Sequence, residues 1–160
     1  MLVLYCIDTK IGEDWIKDMI NRKGNLPIVY FWWHQLPDGS ENTLTKMRRQ
    51  LETVKFIPIY IKTDKNYYLL TAVDFENGNP ITKLDENWNE KYELAWPWHL
   101  AVVEGCEDKL LEIFDEWERE SWKNHIPRIL FSVSSITKLE GKPQAIKSWN
   151  IHARLACIEI

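Results

Sequence analysis

Tryptophan is the residue type whose chemistry stands out in this chain, with nine among 160 residues. Trp32 and Trp33 lie in the apolar and aromatic run 28–36, between Pro27 and Pro37. The flanking prolines and the absence of helical spacing predict a strand. Because successive strand residues face opposite sides, both faces of this strand carry rings, although a core needs one such face. Indole rings outside a core can stack on nucleobases or enclose a methylated group, so the run predicts a recognition site.

Four further side chains are candidates for the same kind of site. Trp88 lies in a polar, turn-rich segment without apolar neighbours, which favours a site or an interface over packing. Trp96 and Trp98 lie where a later strand is interrupted by proline, and His34 ends the aromatic run. The alternative for most of these residues is a place in the core, which is what we expect for Trp15 on a helix whose predicted buried stripe also includes Ile16, Met19 and Ile20.

Catalytic and metal chemistry find little support in the sequence. The four histidines are isolated from one another and from cysteine, and the common nucleophile, zinc and phosphate-loop motifs are absent. The three cysteines are far apart and lie in apolar surroundings, so they predict small core residues instead of disulfides or zinc ligands. We therefore expect no catalytic residues, no metal and no cofactor; any catalysis would lie in other domains or subunits.

Charge is segregated along the chain, although the net charge is −4. Residues 43–65 carry six basic against two acidic residues, and residues 121–154 carry six against one. A fold that joins these segments would have a positive face, which is typical of nucleic-acid partners. Lys46, Arg48 and Arg49 lie on the outer side of a predicted helix and are the candidate phosphate contacts. The alternative is that solvated faces simply differ in sign.

Periodicity along the chain predicts the element order β-α-β-α-β-β-loop-β-α-β-β. This order predicts an α+β fold with a curled, mainly antiparallel sheet or a small barrel, flanked by helices. The second helix should bury Met47 and leave Gln50 outside. We expect one domain over 1–160, with the chain forming the N-terminal part of a longer protein. No leader or membrane-spanning run is visible in the sequence, so a cytoplasmic protein without membrane contact is expected.

The order of these features resembles the PUA-like superfamily, most closely its EVE and YTH branch. The resemblance rests on five segments, namely Val3–Thr9, Trp32–Trp33, Pro58–Ile61, Tyr68–Val73 and Trp96–Leu100. It implies a curled sheet with flanking helices that takes a flipped, often modified base into an aromatic cage. The chain also resembles the N-terminal DNA-recognition domains of McrBC-type restriction systems. This resemblance implies a motor domain and a nuclease subunit as partners.

Carried onto this sequence, the resemblance implies specific cage residues. The first ring would fall on Trp33 or Trp32, and the second on Trp88 or Trp96. Asp8 or Thr9, after the first strand, would contact the edge of the base. The family has Lys-Ser at this position, so the identity of the base is open.

The sequence thus predicts a non-catalytic module that recognises DNA. Three alternatives remain open. They are an RNA-binding PUA-like module, a protein-interaction domain anchored by exposed tryptophans, and a small-molecule or nucleotide hydrolase. Contact with a ribose 2′-hydroxyl would distinguish the first from a DNA reader, and weak salt dependence of nucleic-acid binding would favour the second.

Overall fold

The computed structural model describes residues 1–9, 12–34, 41–78, 128–147, 149 and 156–160, with positions 31–34, 41, 77, 78 and 128 described through their backbone alone. Six strands and two helices lie in this part of the chain. Their bounds are β1 Leu2–Ile7, α1 Gly12–Lys23, β2 Val29–His34, α2 Glu41–Thr53, β3 Ile57–Lys62, β4 Tyr67–Gly78, β5 Arg128–Leu139 and β6 Ala156–Glu159. The strand and helix predicted between residues 92 and 120 lie outside the described residues.

The strands form one mixed sheet in the order β2-β5-β4-β3-β1-β6. Strand β1 pairs with β3 in parallel, and the other four pairs are antiparallel. The predicted α+β class and mainly antiparallel sheet are therefore confirmed. The small barrel was wrong, because the sheet is open and β2 and β6 lie at its two edges. Closure would require β2 and β6 to pair with each other, and among the described strands they do not.

The register gives the sheet two distinct ends. One row runs from Ile7 across Lys62 and Tyr67 to Leu139, next to the turn 63–66 that joins β3 to β4. We call this the turn end. At the opposite end of the sheet, β4 and β5 extend beyond the residues that pair with β3. Strand β2 pairs with this extension of β5, and the last pair is His34 with Arg128. We call this the far end.

Both helices contribute to one core against the same face of the sheet, here called the helix face. Trp15, Ile16 and Met19 of α1 are buried in it, and Met47 of α2 is fully buried. The first turn of α1 carries acidic residues and its last turn carries basic ones, as the helix dipole favours. The first helix was also expected to bury Ile20, but this side chain is 39% exposed.

Strand β1 is buried along its whole length, so the opposite face of the sheet is also covered at this strand. Val3, Tyr5 and Ile7 lie on that second face. Within the described ranges, no helix is both long and apolar enough to cross a membrane.

Candidate nucleic-acid interface

The predicted ring residues divide between an edge strand and undescribed parts of the chain. Trp32, Trp33 and His34 lie on β2, in register with Leu130, Ile129 and Arg128 of β5. The description of these three stops at the backbone. Trp88, Trp96 and Trp98 lie outside the described residues. The aromatic cage therefore stays a prediction.

Asp8 and Thr9 follow β1 at the turn end. The backbone N–H of Asp8 donates to the carbonyl of Lys62 at 2.8 Å, so the chain is still tied to β3 beyond the strand. The carboxylate of Asp8 accepts a hydrogen bond from the indole Nε1 of Trp15 at 2.9 Å. Thr9 is exposed. Asp8 thus helps to dock α1, and Thr9 is the more accessible of the two predicted base contacts.

The predicted phosphate contacts of α2 point to different parts of the sheet. Lys46 forms an ion pair with Glu159 of β6 at 3.3 Å. Arg48 bonds the Asp74 carboxylate of β4 at 2.9 Å and the carbonyl of Phe75, and its guanidinium carbon lies 3.9 Å from the centre of the Phe75 ring. Arg49 is exposed. Because β3 and β1 lie between β4 and β6, Lys46 and Arg48 reach apart, and Arg48 acts as a clamp between α2 and β4.

The open sheet separates the predicted site residues into two groups. Asp8 and Thr9 lie at the turn end. Strand β2 and the partners of the α2 cations lie towards the far end. Three strands also stand between β1 and β2, which corresponds to roughly 19 Å of sheet width. The described backbone therefore does not bring Asp8 and Trp33 side by side.

The turn end gathers a group of lysines that sequence analysis did not single out. Lys62 ends β3 in register with Tyr67, on the second face, Lys65 lies in the following turn, and Lys138 pairs in register with Tyr68, on the helix face near the end of β5. Lys142 follows four residues later, and all of these except the half-buried Lys62 are exposed. We call Lys62, Lys65, Lys138 and Lys142 the lysine cluster. The sequence signal was present in the two basic segments, which the pairing of β4 with β5 brings together.

The lysine cluster lies among carboxylates but forms no ion pair with those that the structure describes. In the part of the chain that the structure describes, ion pairs involve Lys17, Arg22, Lys46 and Arg48, and none involves the lysine cluster. The exposed carboxylates on the same turns are Asp64 and Glu140. Asp8 and the Glu13 carboxylate also lie at this end, so what favours phosphate contacts is that these lysines form no ion pairs among the described residues, and not an excess of cations.

Aromatic rings lie next to the lysine cluster on the second face. Trp149 contacts the ring of Tyr5 at 5.6 Å and that of Tyr67 at 5.4 Å between centroids, both at steep angles. Because Tyr5 is on β1 and Tyr67 on β4, Trp149 lies over β3, which separates them. The Lys62 ammonium lies 5.9 Å from the Tyr67 ring centre. Trp149 was not a predicted site residue, although it lies in the second basic segment, close to Lys147.

A buried carboxylate holds the turn that carries part of this cluster. Glu13, in the first turn of α1, is 5% exposed. Its Oε1 accepts hydrogen bonds from the Thr63 hydroxyl at 2.5 Å and the Asn66 amide at 3.0 Å, and its Oε2 accepts one from the Tyr68 hydroxyl at 2.9 Å. The Thr63 hydroxyl in turn accepts the backbone N–H groups of Lys65 and Asn66. The conformation of the turn therefore depends on this glutamate.

These contacts shift two pKa values. Burial raises the pKa of Glu13, but hydrogen bonds from Thr63, Asn66 and Tyr68 and the nearby Lys17 charge outweigh it, and the pKa is lowered overall. Burial, the hydrogen bond to Glu13 and its negative charge raise the pKa of Tyr68 to about 12. At neutral pH the pair is thus a carboxylate and a neutral phenol, which is a stable structural pairing and not a poised acid and base.

The packing beside Glu13 requires a glycine. A Cβ atom on Gly12 would lie 2.9 Å from Cγ2 of Thr63 and 3.3 Å from Cβ of Asp8. The start of α1 can approach the turn this closely because residue 12 has no side chain.

Among the described residues, no group of three or more histidine, cysteine or acidic side chains could hold a metal ion. Comparison with protein families, with curated proteins and with solved structures finds no match for this chain.

Proposed function

We propose that this chain is a non-catalytic nucleic-acid-binding module whose turn end contacts phosphates. One observation carries the proposal. The β3–β4 and β4–β5 pairings join two basic segments, whose nearest ends (residues 65 and 121) lie 56 positions apart in sequence, into a lysine cluster with no ion pairs in the described part of the chain. Lysines around a sheet end provide sequence-independent contacts to a phosphate backbone, which supply much of nucleic-acid affinity.

The wider proposal follows the resemblance of the sequence to PUA-like domains. In it the chain is the targeting part of a modification-dependent restriction system, and DNA is the partner rather than RNA. A modified base would be held by Trp32 or Trp33 together with Trp88, Trp96 or Trp98. The open sheet supports phosphate contacts at the turn end more directly than it supports this cage, because three strands lie between β1, which precedes Asp8, and β2, which carries Trp33.

The test is the salt dependence of binding to DNA, followed by fluorescence anisotropy of a labelled oligonucleotide. Each lysine that contacts a phosphate should contribute about one to the slope of log affinity against log salt. Lys65→Gln and Lys138→Gln should each reduce that slope by about one. Lys46→Gln and Arg49→Gln, which also remove cations from the surface, are the matched controls and should leave it unchanged.

If only the α2 variants reduced the slope of log affinity against log salt, the phosphates would lie at the far end. That result would overturn the assignment to the turn end. No binding to DNA or RNA, or binding insensitive to salt, would overturn the nucleic-acid proposal and favour the protein-interaction domain. Tighter binding of RNA than of DNA with the same sequence would favour the RNA-binding alternative.

A further inference from the structure

We infer that the rings beside the lysine cluster bind unpaired bases, so that the preferred ligand is a single-stranded polynucleotide. This inference rests on the proposed function and adds the class of ligand. Its elements are Tyr5, Tyr67 and Trp149 on the second face, with Lys62 against the Tyr67 ring and Lys147 two residues before Trp149. We call these three rings the ring group.

Two members of the ring group keep accessible surface that a ligand can contact. Tyr5 is 7% exposed and serves as its buried base, whereas Tyr67 and Trp149 are half-buried and keep part of their surface accessible. The steep angles between Trp149 and its two neighbours leave the three rings in different orientations instead of one closed stack. Half-exposed Tyr60 and Leu69, which follow Tyr5 in the same register row, extend this face across the sheet.

Trp149 also has an enclosed hydrogen-bond donor. Its indole Nε1 is enclosed and finds no acceptor in the part of the chain that the structure describes. Enclosed polar groups are nearly always paired in native proteins, so one without a partner calls for an explanation. Because this N–H is enclosed, a base would contact the accessible part of the ring and not the donor.

The surrounding charge selects a polyanion as the occupant. Lys62, Lys65 and Lys142 lie at the turn end beside the ring group, and Lys147 adds a further exposed cation on the segment that carries Trp149. Lysines next to half-exposed rings match a strand of nucleic acid, which offers phosphates to the cations and bases to the rings. A purely apolar peptide or a lipid tail would leave these cations without partners.

The shape of the site favours single strands over duplexes. In a duplex the faces of the bases are covered by their neighbours, and a protein reaches base edges with an element that enters a groove. The ring group lies on a sheet surface, so a paired base would first have to be extruded at a cost of a few kcal/mol. Single strands expose the base faces already, and stacking on aromatic side chains is tolerant of sequence.

The experiment compares a labelled oligonucleotide of about 12 nucleotides, as single-stranded DNA, as single-stranded RNA and as the DNA duplex, by fluorescence anisotropy. Single strands should bind about tenfold more tightly than the duplex, as the stacking of one base would provide. Tyr67→Leu, which removes the ring, should lower single-strand affinity about tenfold, whereas Tyr67→Phe should leave it within about twofold. The slope with salt should be the same in both variants, because neither removes a charge.

Trp149 gives a second, independent pair of variants in case Tyr67→Leu fails to fold. Trp149→Leu should lower single-strand affinity strongly, and Trp149→Phe, which keeps a ring but loses the donor, should lower it less. A duplex bound as tightly as the single strand, with both leucine variants unchanged, would overturn this inference while the phosphate proposal stood. Loss of all salt-dependent binding would instead remove the proposed function itself. Comparison of the affinities for single-stranded DNA and single-stranded RNA shows which of the two is the preferred ligand.

Discussion

The hydroxyl of Tyr68 donates a hydrogen bond of 2.9 Å to the buried carboxylate of Glu13, which joins β4 to the first turn of α1 across 55 positions of sequence. Thr63 and Asn66 donate to the other oxygen of the same carboxylate. The carboxylate thus gathers three side-chain donors from one turn and the strand that follows it. The stability of the turn end and its lysines should therefore follow the ionisation of this pair.

Tyr68 predicts a loss of stability at alkaline pH. Its folded pKa is raised to about 12, mainly by burial and then by Glu13, whereas an unfolded tyrosine titrates near about 10. Since the folded value is the higher one, the contribution is complete below about pH 10 and is lost as pH rises through about 12. Urea unfolding at a series of alkaline pH values should show this decline. Tyr68→Phe should remove that part of it and lower the free energy of unfolding near pH 7 by about 1–3 kcal/mol.

The lowered pKa of Glu13 predicts a second loss of stability, at acidic pH. Its folded pKa is lowered below the unfolded value of about 4.3, so its contribution is present above that value and is lost as pH falls through the folded pKa. Glu13→Gln should flatten this part of the pH profile, because it cannot titrate. Asp14→Asn, an exposed neighbour in the same turn, is the control. An equal flattening in both variants would contradict a special role for Glu13.

The same carboxylate shows where sequence patterns succeed and fail. Periodicity predicted α1 and the burial of Trp15, Ile16 and Met19, because apolar residues on one side of a helix have no other stable place. The helix dipole accounts for an acid in the first turn of α1 but not for the burial of Glu13. Its burial depends on donors in a turn about 50 residues away, and spacing along one helix carries no information about them.

Strand pairing limited the rest of the prediction. Alternation and turn signals predicted most of the strands, but not their order in the sheet, and the order decides between an open sheet and a barrel. The two basic segments were visible in the sequence. Which of their lysines meet depended on the register of β4 with β5, so the outer cations of α2 were chosen in place of Lys65 and Lys138.

Gln50 predicts a strong effect from a polar residue that was expected to be outside. It is 9% exposed, and its side chain accepts the N–H of Leu2 at 2.7 Å and donates to the carbonyls of Leu2 at 2.9 Å and Phe56 at 3.1 Å. The amide thus pairs with the start of β1 as a neighbouring strand would. Gln50→Leu should lower the free energy of unfolding by about 1–3 kcal/mol, because buried backbone groups lose their partner.

Gln50→Glu is the sharper variant, since it places a carboxylate against the two carbonyls that the amide donates to. It should destabilise the protein more than Gln50→Leu at neutral pH and recover as the pH is lowered. Arg49→Ala, the exposed neighbour, is the control in urea unfolding and should change stability by less than about 0.5 kcal/mol. An unchanged free energy of unfolding in Gln50→Leu would show that water replaces the amide at no cost.

Arg48 predicts a modest structural effect. Its ion pair with Asp74 is half-exposed, so the pair itself should contribute about 0.2–1 kcal/mol. Contact with the Phe75 ring adds about 0.5–1 kcal/mol at an exposed site. Arg48→Lys keeps the charge but loses the planar fork, and it should be less stable than the parent protein in urea unfolding. A double-mutant cycle with Asp74→Ala measures the pair, and coupling above about 2 kcal/mol would contradict its exposed character.

Lys55 predicts a stabilising substitution at the end of α2. Its φ is 79°, a left-handed conformation that costs a residue with a side chain about 1–2 kcal/mol. The backbone N–H groups of Val54 and Lys55 both donate to the carbonyl of Gln50, so this conformation closes the helix. Lys55→Gly should raise the free energy of unfolding by about 0.5–1 kcal/mol, after the greater freedom of glycine in the unfolded chain is subtracted. Lys55→Ala, which also removes the ammonium but keeps Cβ, is the matched control and should give no gain in thermal or urea unfolding. Equal stability of the two variants would mean that the loss of the lysine side chain, and not relief of the backbone, sets the effect.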